Sequence, residues 1–120
     1  MKKGSSGRQR KIEAELQRVL AELIVREVKD PRVGNVTVTS VRLSPDMSVA
    51  KVFYAPFVSA HPQEEVQSGL TRAAGFLRGE AGRRLGLRHA PRLDFVFDDT
   101  AEKAARLTGL IDRAVRGDRE

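Results

Sequence analysis

The chain has no cysteine, no tryptophan, one tyrosine and only two histidines in 120 residues. Without cysteine there are no disulfides and no thiolate metal sites. The histidines, His61 and His89, have no nucleophile or ligand neighbour at a recognised spacing, so no catalytic residue, metal site or cofactor is expected. A non-enzyme without a small-molecule substrate is the reading that follows. No apolar run approaches the roughly 20 residues of a membrane span, and a membrane partner is not expected. The N-terminus is charged but no apolar stretch follows it, unlike a secretory signal, so a cytoplasmic setting is expected. Aromatics make up 5% of the chain, too few for an obvious base-stacking platform. Phe53 is the one outward aromatic expected, and a helix or tail would cover it. That scarcity favours recognition of shape and backbone over single-strand sequence readout.

Positive charge is abundant. The net charge is +6, which favours a polyanionic partner, nucleic acid ahead of acidic membrane. The charge is clustered. Lys2, Lys3, Arg8, Arg10 and Lys11 form one block. Arg72, Arg78, Arg83, Arg84, Arg88 and Arg92 form another, against the single acid Glu80. Clustering, rather than the preference for arginine over lysine, carries the signal.

Residues 1–7 read as a flexible basic tail, 8–116 as one domain and 117–120 as a frayed end. Ile12, Leu16, Val19, Leu20, Leu23 and Ile24 form one stripe of a helix from Arg8 to Val28, stopped by Asp30-Pro31. Val36 and Val38 alternate with the opposite parity to Val41 and Leu43. A bulge near Thr39-Ser40 would put all four on the core side of a strand from Val36 to Leu43. Ser44-Pro45-Asp46-Met47 is a turn, and Ser48 to Phe57 returns with Ala50, Val52 and Tyr54 inward and Lys51 and Phe53 outward. Pro62 fits a first helical position, with Glu64 and Glu65 at the positive end of the dipole. Val66, Leu70 and Ala73 form a first helix. Ala74-Gly75 breaks it, and Phe76, Leu77, Ala81 and Leu85 form a second, ending at Gly86. Leu93, Phe95 and Phe97 mark a third strand. Asp99 with Glu102 reads as a capping box opening a last helix through Leu107, Leu110, Ile111 and Ala114. The order is α-β-β-α-α-β-α, an α+β domain whose three-stranded sheet carries its helices on one face.

Several short motifs occur in a specific order. They are Lys29-Asp30-Pro31-Arg32, then Val36-Thr37-Val38-Thr39, then Ser44, Asp46 and Ala50-Lys51-Val52. Leu70-Thr71-Arg72-Ala73-Ala74-Gly75-Phe76-Leu77-Arg78 follows, with Leu87-Arg88, Pro91, Leu93, Phe95 and Asp98 last. From Arg8 to about Leu110 this set resembles the bacterial ribosome-binding factor A family. The resemblance implies a K-homology-like fold of the second (type II) topology, with an Ala-x-Gly kink, here Ala73-Ala74-Gly75, in place of the Gly-x-x-Gly loop. It also implies binding to the immature small (30S) ribosomal subunit and its 16S rRNA, late maturation including 5′-end processing, a role in growth in the cold, and release before translation. Met47 and Arg92 stand where the family more often has leucine and glutamate.

Gly79-Glu80-Ala81-Gly82 also spells Gly-x-x-Gly, but so does Gly4-Ser5-Ser6-Gly7, and spacing alone carries little. Gly79 and Gly82 are read as helix positions suited to close packing; a loop there is the alternative. Arg72, Arg78, Arg83, Arg84, Arg88 and Arg92 are the expected RNA contacts, with Arg84 and Arg88 on one helical face. Lys3, Arg8, Arg10 and Lys11 form a second arm, with Lys2 beside them. The plainer reading of these arginines is a solvated helix surface. Asp98-Asp99 reads as a helix cap, Asp46 as a turn residue, and Asp30 as a helix stop or partner of Arg32. The chain is expected to be a monomer when free. A general K-homology module for mRNA or other free RNA, or a domain whose basic face meets an acidic protein, remain the alternatives.

Overall fold

A computed structural model describes residues 6–33, 35–58, 61–100 and 103–109. Helix α1 spans Gly7–Glu27, strand β1 Asn35–Leu43, strand β2 Val49–Val58, helix α2 Gln63–Leu85 and strand β3 Arg92–Phe97. Residues 103–109 are also helical. The strands form one mixed sheet in the order β1-β2-β3. The hairpin β1–β2 is antiparallel, whereas β3 runs parallel to β2. Parallel neighbours need a long crossover, and α2 supplies it. The α+β class, the three-stranded sheet and the packing of α1 and α2 on one of its faces are as expected.

The core lies between the sheet and the two helices. Leu16, Leu20, Leu23 and Ile24 of α1 and Val66, Leu70 and Leu77 of α2 are buried against Val36, Val38, Val41, Ala50, Val52, Tyr54, Leu93 and Phe95. Each valine, leucine, isoleucine or phenylalanine among them, fully buried, favours folding by about 1.5–3 kcal/mol. The parity slip in β1 is a bulge: the register shifts between Val38 and Ser40, and the valines on both sides of it face the core. Tyr54 is completely buried, so its hydroxyl needs partners. It donates to Gln67 Oε1 at 2.5 Å and accepts from Gln63 Nε2 at 2.9 Å, while Gln67 Nε2 donates to the Phe95 carbonyl at 2.8 Å. This network ties α2 to both parallel strands.

Helix α1 begins earlier than the periodicity implies. Ser6 Oγ accepts the Gln9 amide and Gln9 Oε1 accepts the Ser6 amide, both at 3.1 Å, a capping box that makes Ser6 the N-cap and Gly7 the first residue of α1. Helix α1 ends at Glu27, with Val28 as its C-cap, ahead of Asp30, which pairs with Arg32. The Asp30 carboxylate accepts the Arg32 amide at 3.0 Å and the Arg32 guanidinium at 2.6 Å.

The region after Pro62 departs most from expectation. Pro62 is the N-cap of α2 rather than its first helical residue, and α2 runs unbroken for 23 residues through Ala73-Ala74-Gly75. Two alanines are strong helix formers, and a lone glycine costs only about 1 kcal/mol in a helix. The apolar stripe from Val66 and Leu70 to Leu77 and Ala81 outweighs that cost. One helix therefore replaces the expected pair. Its phase, set by Leu70 and Leu77, puts Phe76 outside: Phe76 is 48% exposed, not part of the core stripe. The Gly79–Gly82 segment is helix, not loop. At the last expected helix, Asp98 accepts the Thr100 amide at 3.0 Å, and the Lys103 amide donates to the Asp99 carbonyl at 2.9 Å. Glu102, Leu110, Ile111 and Ala114 lie outside the described residues.

Candidate nucleic-acid interface

The end of α2 determines where the second basic block goes. Gly86 takes a left-handed conformation with φ 65°, and its amide donates to the Arg83 carbonyl at 3.2 Å. The Leu87 amide donates to the Gly82 carbonyl at 2.9 Å, completing a Schellman motif that reverses the chain. Arg88 and His89 thus leave the helix axis. The expected shared face of Arg84 and Arg88 does not form, because helical angles cease to apply after Leu85.

Two close approaches fix α2 in place. A Cβ on Gly82 would lie 2.8 Å from the Cβ of Ala90, so glycine lets the chain before β3 pack against the helix. A Cβ on Gly69 would lie 2.8 Å from Val33 Cγ2, which seats α2 on the turn after α1. Around Gly75 and Gly79, in contrast, an added Cβ meets nothing within 4 Å. The packing use expected of the Gly79–Gly82 pair therefore holds for Gly82 and not for Gly79.

The reversal opens a cleft of about 390 Å³ between the hairpin turn, α1 and the chain before β3. Arg8 from the first basic block lines it together with Arg78, Arg88 and His89 from the second. Met47, the one non-glycine residue with positive φ among those described, lies on its wall beside Asp46. Asp46 is engaged in its own turn, accepting Ser44 Oγ at 2.9 Å, Ser48 Oγ at 2.8 Å and the Ser48 amide at 3.0 Å. Those hydrogen bonds, from Ser48 above all, lower its pKa and keep it charged. The cleft retains three guanidinium groups against that one carboxylate.

The arginines divide into two groups. Arg78 Nε donates to the Ala90 carbonyl at 3.0 Å, bracing the cleft wall while its terminal nitrogens remain available. Arg83 pairs with Glu80 at 2.7 Å, which lowers the pKa of Glu80. Arg84 pairs with Glu22 of α1 at 2.9 Å. Arg72, Arg88 and Arg92 make no side-chain hydrogen bond or ion pair among the described residues. Arg8, Arg10 and Lys11 are exposed along the first turns of α1, and Lys3 lies outside the described residues. Ala73 and Ala74 are half-buried and Gly75 is exposed.

Arg92 faces away from this cleft. It lies on the outer side of the sheet, where it lines a second hollow of about 480 Å³ with Arg42 and Lys51. Arg42 opposes Lys51 in register, and Lys51 opposes Asp94. Sequence reading missed Arg42 as a member of a cationic surface; the bulge at Thr39 that turns Val41 inward also turns Arg42 outward. Phe53, also on this side, is half-buried.

The ribosome-binding factor A family model matches residues 8–111. Ribosome-binding factor A of Thioalkalivibrio sulfidiphilus is 53% identical over 105 residues, covering 88% of this chain and 81% of the relative. The crystal structure of ribosome-binding factor A from Thermus thermophilus superposes with a TM-score of 0.65 at 38% identity, covering 73% of this chain and 93% of that one. Coordinates of the Thermus thermophilus factor as fitted into a cryo-electron-microscopy map of a 30S complex superpose with a TM-score of 0.61 at 38% identity, covering 73% of this chain and 92% of the other. Matched over most of its length in both sequence and fold, the chain belongs to the ribosome-binding factor A family.

Proposed function

We propose that this chain is a non-enzymatic assembly factor that binds the immature small ribosomal subunit through 16S rRNA and assists its late maturation, including processing of the 5′ end. The carrying observation is the cleft where Arg8 meets Arg78 and Arg88, because it joins two basic blocks that lie far apart in the chain. Guanidinium groups match phosphate oxygens in geometry and position a protein on an RNA backbone without reading sequence. The Thermus thermophilus relative in its 30S complex supports the small subunit as the partner. Binding one rRNA conformation better than its competitors shifts the population toward it, and no catalytic group is needed. A role in growth in the cold belongs to the same reading, as the family resemblance implies. The factor acts in the cytoplasm, as a monomer when free, and leaves before translation starts.

Sedimentation of cell extracts tests this reading. The protein should travel with immature small subunits, and its deletion should enrich 16S rRNA with an unprocessed 5′ end, most strongly in the cold. Recovery on free mRNA alone would replace this reading with the general RNA-binding one.

A further inference from the structure

Phe76 is a large aromatic side chain that the fold does not use. It is 48% exposed on the solvent side of α2, while its neighbour Leu77 is fully buried. At 3.6 residues per turn, Arg72 lies about 40° and Arg83 about 20° around the helix from Phe76. The Arg72 side chain makes no hydrogen bond or ion pair among the described residues, though its charge acts on Asp30. Arg83 neutralises the nearby Glu80 at 2.7 Å. The space over Gly75 and Gly79, before and after the ring, is open. The ring thus stands on an uncrowded helical face with a cation one turn away.

We propose that Phe76 is a stacking platform for an unpaired nucleobase of the rRNA, with Arg72 holding an adjacent phosphate. The inference rests on the RNA-binding reading above and adds to it a kind of contact that backbone recognition alone does not include. Every base presents a π-face, so stacking tolerates sequence but requires a base that is out of a duplex. An arginine beside the ring supplies the complementary charge for the attached phosphate. The occupant is therefore a single-stranded rRNA nucleotide, in a loop, a bulge or a strand not yet paired.

The test compares Phe76→Ala, Phe76→Leu and Phe76→Tyr with the wild type in affinity for purified immature 30S subunits across a salt series. Stacking predicts a loss of about 5- to 150-fold for both Ala and Leu, with Tyr near wild type. The salt slope should stay unchanged in all three, because no phosphate contact is removed. If Leu binds as wild type while Ala is weakened, the ring meets an apolar protein surface and the stacking proposal is wrong. Wild-type affinity in the Ala variant overturns it as well. Failure of the wild-type protein itself to bind immature 30S subunits would instead overturn the functional reading on which it rests. Phe76 is half-exposed, so the variants should unfold at the wild-type temperature.

Discussion

The carboxylate of Glu13 on α1 accepts the backbone amide of Leu43 on β1 at 2.7 Å. Gln9 and Gln17 stand one turn to either side and donate to the carbonyls of Pro45 at 3.0 Å and Val38 at 3.2 Å. The three side chains cover the outer edge of β1, the exposed border of the sheet. Glu13 is only 9% exposed, so its loss leaves a shielded amide without an acceptor. Glu13→Ala should destabilise the fold by about 1–3 kcal/mol in urea titration, and Glu13→Gln, which keeps an acceptor, by less. A wild-type midpoint for Glu13→Ala would show that the bond contributes nothing.

Two glycines of α2 should respond oppositely to alanine. At Gly82 the new methyl lies 2.8 Å from Ala90 Cβ, which has no rotamer to yield. Overpacking of that kind costs about 1–3 kcal/mol, more than the helix propensity gained. At Gly75 the space is open, and Gly75→Ala should stabilise by up to about 1 kcal/mol. If Gly75 is retained so that an RNA backbone can approach, the stabilised variant should also bind 30S subunits more weakly. Thermal unfolding and subunit affinity, measured on both variants, read these effects separately. A stable Gly75→Ala protein with wild-type affinity would remove Gly75 from the interface.

The contrast between these glycines shows what the sequence could disclose. The bulge in β1 was legible because four apolar residues of mismatched parity had to share one core. The turn and the helix stripes were legible for similar reasons. The continuity of α2 was not, since Ala74-Gly75 is compatible with a break or a helix, and only Leu70 and Leu77 packing together decides between them. Assuming a break allowed Phe76 to be phased with the second half and placed inside. The arginines were legible as a charge cluster but not as individuals. Arg84 finds Glu22 across 62 residues and Arg78 finds a backbone carbonyl, neither of which leaves a local pattern.

Acid should weaken the fold through two carboxylates. Hydrogen bonds from Thr100 and Thr39 hold Asp98 down to about 2, and the guanidinium and amide of Arg32 do the same for Asp30. A carboxyl with a lower pKa in the folded than in the unfolded state binds fewer protons when folded. Its stabilisation is therefore complete above the unfolded value near pH 4 and is lost as pH falls toward 2. Urea midpoints should drop over that interval. Asp98→Asn should be less stable than wild type at pH 7, with the gap closing toward pH 2. A gap that stays constant down to pH 2 would place the acid response elsewhere.

Arg84 and Arg88, four residues apart, should behave as different kinds of residue. Arg84 is held by Glu22 and joins α1 to α2, whereas Arg88 opens into the cleft with Arg8. Arg88→Gln should weaken 30S binding and reduce the slope of log affinity against log salt by about one unit, with stability unchanged. Arg84→Gln should cost about 0.2–1 kcal/mol of stability, as expected for a partly exposed pair, and leave the slope nearly as it was. A double-mutant cycle with Glu22→Gln separates the two: Arg84 should couple to Glu22 in urea unfolding, and Arg88 should not. If Arg84→Gln lowers the salt slope as much as Arg88→Gln does, the ion pair opens on the subunit. Both arginines would then reach phosphate despite the turn at Gly86 that separates them in the free protein.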